Sequence, residues 1–275
     1  KFKDYFSGNS LKEFMSSNKA LGEGSFGKVF KCNHSQYKLV YKYVLFKQAI
    51  VQKTFDREVR YMSFINKHPN LKNVAVRIVA CHYKKNAGGI IMQMLGKSME
   101  RHIEQIRGWK FEKRIKLYED IALKIHELNN AGICHNDLKP DNLVAVLESN
   151  TLFRVVDFGL SCNLNQPCKG GTSYFNAPEK YQTQNGYFTC TSQIDEWAWL
   201  FTILKIEMKY HWTKLNFTCE KDVEACILKK RNLVLTHMHD RPPNFVQTLL
   251  AGLHSHPTYR WSMMDIVINM KENRL

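Results

Sequence analysis

The stretch HNDLKPDN, residues 135–142, carries an imidazole, two carboxylates, a lysine and two amides around a single leucine. Composition alone would indicate a turn, because Asn, Asp and Pro favour turns for backbone reasons. The flanks indicate more, since ICHNDLKPDNLV has apolar residues on both sides and predicts a polar loop between two buried segments. Within this loop, Asp137 can orient a hydroxyl and accept its proton, Lys139 can balance a moving negative charge, and Asn142 can bind a metal ion.

A further carboxylate follows fifteen residues after Asn142, at the end of the apolar pattern FRVVDFGL. This residue, Asp157, stands directly before Phe158 and Gly159, and a carboxylate at a strand end is well placed to hold magnesium under a triphosphate. Taken singly, each of these aspartates has an ordinary alternative as a turn or capping residue. Their occurrence together and in this order favours a catalytic constellation.

A glycine-rich stretch lies upstream, where LGEGSFGKVF contains G-x-G-x-x-G at Gly22, Gly24 and Gly27. Such spacing lets backbone amides approach phosphate. A dinucleotide-binding fold would need a helix next and an acidic residue about twenty positions on. Here a strand pattern follows, and the residue twenty positions after Gly22 is Lys42. Lys42 suits phosphate oxygens and Glu58 can orient its flexible side chain, although either residue alone would be an ordinary surface charge.

The pattern of apolar residues predicts strands first and helices afterwards. Residues 20–44 alternate as three strands do, residues 51–67 have helical spacing, and two short apolar strands follow. Beyond residue 95, apolar residues recur every three or four positions. This segregation predicts an α+β, bilobal fold with a small β-rich lobe and a larger helical lobe. The expected organisation is a helical extension over residues 1–18, a first lobe over 19–95 and a second lobe over 96–275.

Composition and charge limit the function classes. The chain has 275 residues, 44% of them hydrophobic, and no run approaches the ~18 apolar residues of a membrane span, so we expect an intracellular protein of the cytoplasm or nucleus. The net charge of +15 is uneven, with 17 Lys/Arg against 5 Asp/Glu before residue 96 and 23 against 20 afterwards. The basic first part could attract nucleic acid through counterion release, or could form an ordinary solvated surface.

The cysteines show no recognisable framework. They form no C-x-x-C pair and no zinc-like spacing with histidine. Neither a metal site nor a disulfide framework is therefore expected, and reduced thiols agree with an intracellular environment. The eight positions are Cys32, Cys81, Cys134, Cys162, Cys168, Cys190, Cys219 and Cys226.

Together these motifs resemble the signature set of the eukaryotic protein kinases, from about residue 21 to residue 260. The resemblance rests on G-x-G-x-x-G-x-V, the strand lysine, the helix glutamate, H-x-D-x-K-x-x-N, D-F-G and A-P-E. It implies ATP as the nucleotide, with Mg²⁺ or, in its place, Mn²⁺. Lys42 would then bind the α and β phosphates and pair with Glu58. Asn142 and Asp157 would hold the metal ions, and Asp137 would be the catalytic base.

The resemblance extends to the nucleotide pocket. IMQMLGKSMERHI resembles the hinge of the casein kinase one clan, with Met92 behind the adenine and the backbone of Gln93 and Met94 meeting the base. The short chain, Asn136 and the lack of an obvious regulatory domain together resemble compact viral kinases of the baculovirus type. The pocket implied in this way comprises Leu21, Gly22, Gly24, Gly27, Val29, Val40, Lys42, Met92, Gln93, Met94 and Val144.

GTSYFNAPE, residues 171–179, resembles the substrate-facing segment of protein kinases and favours a protein substrate over a small molecule. Thr172 and Lys139 match the serine/threonine branch of the family, and both are assigned to the catalytic set. Asn136 stands where most members have arginine. Because that arginine normally receives an activation-loop phosphate, we expect activity without loop phosphorylation.

Two structural roles are implied by the same resemblance. Glu179 would form a buried ion pair with Arg260, and Asp195 would anchor the backbone of the catalytic loop. For Asp195 the ordinary alternative is an acid near a helix N-terminus.

Other classes of function stay open at this point. One is a pseudokinase scaffold that binds partners without phosphate transfer, against which stands the complete catalytic set. Another is a nucleic-acid-binding module that uses the basic first lobe. Among protein substrates, basic nucleic-acid-associated proteins are candidates, and no pattern in the sequence indicates an oligomeric state.

Overall fold

The computed structural model describes residues 20–24, 27–33, 36–183, 185–215 and 222–272. The helical extension predicted over residues 1–18 lies outside the described residues. The chain divides into two compact units. Unit 1 comprises Lys1–Gly96, Val146–Ser149 and Arg154–Gly159, and unit 2 comprises Lys97–Ala145, Asn150–Phe153 and Leu160–Leu275.

Unit 1 is built on a five-stranded antiparallel sheet in the order β1-β2-β3-β5-β4. Its strands are β1 (Gly22–Gly24), β2 (Gly27–Lys31), β3 (Leu39–Leu45), β4 (Ile78–Lys84) and β5 (Ala87–Gln93). Helix α1 (Ala49–Lys67) follows β3 and packs near β4 and β5. The predicted order of three strands, one helix and two strands is confirmed.

Local chemistry explains two boundaries of unit 1. Gly27 has a φ of +158°, and a Cβ at this position would collide with the Tyr43 carbonyl of the neighbouring strand, so the β1–β2 hairpin needs glycine here. Helix α1 ends at His68, which is extended with φ −78° and ψ 121°. Pro69 follows directly, and a residue before proline is driven out of the helical region.

Unit 2 is mainly helical. Its helices are α2 (Ile103–Arg107), α3 (Phe111–Asn130), α4 (Ser192–Glu207), α5 (Val223–His237), α6 (Pro243–Gly252) and α7 (Met263–Glu272). Helix α4 is buried on nearly every side, and α3 and α6 pack against it. The rings of Tyr118 on α3 and Trp199 on α4 meet edge to face at 6.1 Å within this core. Within the described ranges, no helix has the length and apolarity needed to cross a membrane.

Short strands position the loops of unit 2. Beyond the main sheet the strands are β6 (Ile133–Cys134), β7 (Leu143–Ala145), β8 (Phe153–Val155), β9 (Cys162–Asn163), β10 (Pro167–Lys169) and β11 (Tyr187–Thr189). β6 pairs with β9, and β10 pairs with β11, both antiparallel. These two pairs fix both ends of the loop after the D-F-G motif. The predicted α+β fold, with a sheet-rich part and a helical part, is confirmed.

Candidate active site

A buried ion pair joins β3 to α1 in unit 1. Lys42 Nζ donates to Glu58 Oε1 at 2.7 Å and to Glu58 Oε2 at 2.8 Å, and it lies 3.6 Å from Asp157 Oδ1. Glu58 is 3% exposed. Neither residue is the surface charge that composition alone would favour, because β3 and α1 bring both side chains to the inside of the unit.

The charges around Lys42 keep it protonated. Burial would lower the pKa of Lys42, but the carboxylates of Glu58 and Asp157 outweigh burial and raise the pKa above its ordinary value. Asp157 has a φ of 64°, a left-handed conformation in which aspartate is enriched. Its side chain is about one third exposed. Unit 1 therefore holds a fixed cation beside an accessible carboxylate, the pair of charges needed for a phosphate and its metal ion.

One face of the unit 1 sheet collects predicted pocket residues. Gly22 pairs with Val29, Val29 with Lys42, and Val40 with Met92. Directly opposed residues of an antiparallel sheet share a face, and so do residues two apart on a strand. Val40 and Met92 are buried. The face thus presents apolar side chains around one ammonium group, which suits a base and its phosphates.

Three further residues of the predicted pocket lie at the glycine-rich end of the unit 1 sheet. A fourth, Val144, lies in unit 2. Leu21 donates its N–H to Val29 O at 2.7 Å, and its side chain is 55% exposed. Gly24 is opposite Gly27 across the hairpin. Val144 lies in β7 of unit 2 and forms an antiparallel bridge with Ser98.

The hinge residues have limited hydrogen-bonding capacity. Gln93 N–H donates to Arg77 O and Met94 N–H donates to Lys38 O, both at 2.9 Å. This pair can therefore offer a base only carbonyl acceptors. Within the described chain, Leu95 N–H takes part in no hydrogen bond, so it is the nearest free backbone donor. The predicted contact of the base with the backbone of Gln93 and Met94 is therefore limited to their carbonyl groups. The sequence pattern could not reveal this limit, because it depends on which strands pair with these residues.

In unit 2 the catalytic loop forms a closed network. Lys139 Nζ donates to Asp137 Oδ2 at 3.0 Å and to Thr172 Oγ1 at 2.7 Å. Thr172 Oγ1 donates in turn to Asp137 Oδ1 at 2.7 Å. Asn142 Nδ2 donates to Asp137 O at 2.9 Å and to Asp137 Oδ2 at 3.3 Å. The structure therefore brings together the four predicted catalytic and metal-binding residues of this unit.

The backbone of this loop is held by a carboxylate of α4. Asp195 Oδ2 accepts from His135 N at 2.7 Å, and Asp195 Oδ1 accepts from Asn136 N at 2.9 Å. Asn129 Nδ2, on α3, also donates to Asp195 Oδ2 at 3.0 Å. Asp195 is fully buried and lies in the first turn of α4, so it is an acid near a helix N-terminus and also has the predicted anchoring role. Asn129 has no sequence motif of its own.

Asn136 connects the catalytic loop to the activation segment, the loop of residues 160–171. Its Nδ2 donates to Leu160 O at 2.9 Å and to Lys169 O at 3.2 Å. Lys180 Nζ donates to Asn136 Oδ1 at 2.7 Å and to Asn136 O at 3.1 Å. Gly171, with φ +109°, covers this pair, and a Cβ there would overlap Lys180 Nζ and Asn176 Oδ1 and would crowd Asn136 O.

Lys180 is a residue that the sequence interpretation missed. It is 7% exposed, and burial lowers its pKa against the opposing effect of nearby cysteine and aspartate charges. The only available signal was its position directly after A-P-E. A buried lysine is rare unless it is paired, and nothing in the local pattern predicts its partner.

The predicted ion pair between Glu179 and Arg260 also forms. Arg260 Nη1 and Nη2 donate to Glu179 Oε1 and Oε2 at 2.9 and 2.8 Å, which is a bidentate pair with the arginine 6% exposed. Arg260 further donates to His254 O at 3.0 Å. The pair ties the end of the substrate-facing segment to the loop before α7.

The expectation of reduced cysteines is wrong at two places. Cys162 and Cys168 form a disulfide, and Cys226 is also disulfide-bonded. β9 and β10 lie at the two ends of a short loop, so they bring Cys162 and Cys168 together although the spacing matches no known framework. Cys32, Cys81, Cys134 and Cys190 are free.

Comparison with known proteins places this geometry in a family. A family model described as protein kinase domain matches residues 15–270. The chain is similar to calcium-dependent protein kinase 12 of Arabidopsis thaliana, with 29% identity over 172 residues, 58% of this chain and 34% of that protein. It is similar to the SNF1-like protein kinase ssp2 of Schizosaccharomyces pombe, with 25% identity over 187 residues, 65% of this chain and 31% of that protein.

A third relative is the probable serine/threonine-protein kinase MRK1 homolog of Encephalitozoon cuniculi, with 26% identity over 191 residues, 65% of this chain and 55% of that protein. The fold and the matched family together define the class, and the chain belongs to the protein kinase domain family. The chain spans about one third of the length of the Arabidopsis thaliana and Schizosaccharomyces pombe relatives.

Proposed function

We propose that the chain is an ATP-dependent protein serine/threonine kinase that transfers the γ-phosphate of ATP to protein hydroxyls. The observation that carries this proposal is the closed network of Asp137, Lys139, Thr172 and Asn142. Asp137 already accepts a hydrogen bond from the hydroxyl of Thr172, which shows that its carboxylate can bind an alcohol. With Lys139 beside it to offset negative charge, this arrangement suits proton acceptance and phosphoryl transfer.

The residues of unit 1 suit the nucleotide. Lys42 is oriented by Glu58 for the α and β phosphates, and the apolar face around Val40 and Met92 suits adenine. Asn142 and Asp157 are the residues that would hold Mg²⁺, or Mn²⁺ in its place, since amide and carboxylate oxygens are the ligands such ions prefer. A bound metal would neutralise charge on the phosphates.

Protein substrates and serine or threonine acceptors are supported by the segment GTSYFNAPE. Thr172 lies in hydrogen-bonding contact with both Lys139 and Asp137. Activity without loop phosphorylation is supported by Asn136, which uses a neutral amide to hold Leu160 and Lys169. The casein kinase one-like hinge, a viral origin of the baculovirus type, and a place in the cytoplasm or nucleus are proposals that rest on the sequence resemblance.

The proposal is tested by Asp137→Asn in the whole chain, with labelled ATP, magnesium and a mixture of basic and acidic proteins. We expect turnover to fall by about 100-fold or more while nucleotide binding is retained, because a positioned base is lost. Asp141→Asn is the matched control, since Asp141 lies in the same loop and is exposed. Unchanged turnover in Asp137→Asn would exclude the assignment.

The alternative is a scaffold that binds nucleic acid or a protein partner through basic residues 1–95. Its support is the excess of 17 Lys/Arg over 5 Asp/Glu in that segment. Binding of this kind weakens steeply with salt, because it depends on released counterions. Salt-sensitive nucleic-acid binding by an Asp137→Asn protein, together with no phosphate transfer by wild type, would favour the scaffold.

A further inference from the structure

Three buried cysteine side chains meet beside the activation segment of unit 2. Cys162 in β9, Cys168 in β10 and Cys190, which follows β11, have sulfur atoms that all lie within 4.8 Å of one another. Cys162 is joined to Cys168, whereas Cys190 is a free thiol with no exposed surface. β9, β10 and the residue after β11 therefore bring three sulfur atoms to one point.

A fourth cysteine borders this group. Cys134 in β6 is opposite Cys162 in the β6–β9 pair, so the two side chains leave the same face of that small sheet. Cys134 and Cys190 are both fully buried. We call Cys134, Cys162, Cys168 and Cys190 the four-cysteine cluster.

Two polar side chains, Asn136 and Lys180, lie beside the four-cysteine cluster. Asn136 Nδ2 donates to Cys168 Sγ at 3.2 Å. Lys180, buried close by, has two neutral oxygen acceptors on Asn136, and no carboxylate of the described chain forms an ion pair with it. A hydrogen bond to sulfur and a nearby ammonium group are features that a metal–thiolate centre uses in its outer shell. A purely apolar cysteine core would need neither.

We propose that the four-cysteine cluster, when reduced, binds one zinc ion through Cys134, Cys162, Cys168 and Cys190. A thiol reductant first opens the Cys162–Cys168 bond with two electrons, giving two thiols and the disulfide of the reductant. Zn²⁺ then replaces four thiol protons and forms a tetrahedral Zn(Cys)₄ centre of charge −2, which Lys180 partly offsets. The disulfide is the oxidised, metal-free form of the same site.

The dimensions of the cluster agree with this assignment. With Zn–S bonds of about 2.3 Å, the sulfur atoms of a tetrahedral site lie about 3.8 Å apart. Three of the sulfur atoms are already within 4.8 Å of one another. The four residues come from four separate segments, and such a site would join the catalytic loop at β6 to both ends of the activation segment.

The first test measures bound metal in the whole chain after reduction and removal of loosely bound ions. We expect about one zinc per chain. Cys168→Ser and Cys190→Ser should each weaken zinc binding by roughly tenfold or more, because a ligand is lost. Cys81→Ser is the matched control, since Cys81 is an exposed cysteine of β4 in unit 1 and should leave zinc binding unchanged.

A second measurement needs no variant that could fail to fold. Cobalt(II) added to reduced wild-type protein should give the absorption bands of a tetrahedral thiolate complex, and zinc should displace it. A disulfide-forming oxidant should release the metal and block rebinding until a thiol is added. Reduced, folded protein that binds neither zinc nor cobalt would overturn the proposal, and so would zinc binding that survives loss of both Cys168 and Cys190. Both readouts are independent of kinase activity.

Discussion

Asn136 shows how one amide can replace a guanidinium group. Its φ is 67°, a left-handed conformation that asparagine adopts more readily than most residues. The backbone therefore turns so that one side chain can contact Leu160 and Lys169 while receiving Lys180. An arginine here would place a second cation beside the buried ammonium of Lys180. The residue thus matches an activation segment that is ordered by neutral hydrogen bonds.

The contribution of Asn136 can be measured. Asn136→Ala removes several buried hydrogen bonds and leaves Lys180 without its side-chain acceptor, so we expect the free energy of unfolding to fall by about 2 to 4 kcal/mol. Urea denaturation followed by circular dichroism gives the difference. Asn150→Ala, at an exposed position, should change it by less than about 0.5 kcal/mol. Equal effects of both changes would show that the contacts of Asn136 contribute nothing to stability.

A comparison of two lysine variants of unit 1 can distinguish the positioning of phosphates from a general effect of positive charge. Lys42→Met should lower the catalytic rate by about 100-fold, more than it lowers ATP affinity, because the phosphates lose their alignment. Lys38→Met removes the same charge from an exposed pair with Glu148 and should leave both constants near their wild-type values. Steady-state kinetics with ATP titration compares the two. If Lys38→Met were the more damaging change, the assignment of the phosphate lysine would be wrong.

Among the elements, the activation segment is held at both ends by short strands rather than by an ionic clamp. β9 is fixed to β6 and β10 to β11. Ser161 is buried and donates to His135 O at 3.2 Å, whereas Ser173 is exposed. A phosphate on Thr172 would break its contacts with Lys139 and Asp137. Ser161 therefore faces a backbone carbonyl rather than a cation. The cation that contacts Thr172, Lys139, is also paired with Asp137, so it is not reserved for a phosphate as an arginine at position 136 would be.

We therefore expect phosphatase treatment of the purified protein to leave most of its kinase activity. Ser173→Ala should behave like wild type before and after treatment. Initial rates on a protein substrate, with phosphate content checked by mass spectrometry, make the comparison. Loss of activity on treatment, and its recovery after rephosphorylation, would mean that another cation such as Lys169 binds a loop phosphate.

Periodicity in the sequence predicts the helices and strands, but it does not predict which distant segments come into contact. The strands and helix of unit 1 follow from alternation and helical spacing, because these patterns reflect which face is buried. Asp195 and the Glu179–Arg260 pair could be inferred only through resemblance to a family. Lys180 and the Cys162–Cys168 bond could not be inferred at all, since each depends on which distant strands or loops become neighbours after folding.

The stability of the molecule as a whole should depend on one buried carboxylate in α4. Burial raises the pKa of Glu196 to about 7, with its Oε1 accepting from Met263 N at 3.3 Å. Because the folded state holds this proton more tightly than the unfolded chain does, Glu196 lowers stability as the pH rises from about 4.5 to about 7. Its full cost, on the order of 3 kcal/mol, is present above that range and absent below it.

Glu196→Gln should remove this dependence. We expect the variant to be more stable than wild type at pH 8 and to lose that advantage at pH 5, because glutamine has no charge to bury. Urea unfolding at the two pH values gives the comparison, and Glu127→Gln, at an exposed position, is the control. An advantage of Glu196→Gln that is the same at both pH values would contradict a titrating origin.

The glycine that covers Lys180 has a consequence for how this sequence can vary. A Cβ at Gly171 would overlap Lys180 Nζ and crowd Asn136 O, so a mutation at position 171 alone would force Lys180 away from Asn136. Positions 136, 171 and 180 therefore form one epistatic unit. A lineage that acquired arginine at 136 would have to replace the lysine at 180 as well. The fitness of each single variant would then decide whether phosphate-dependent control could evolve.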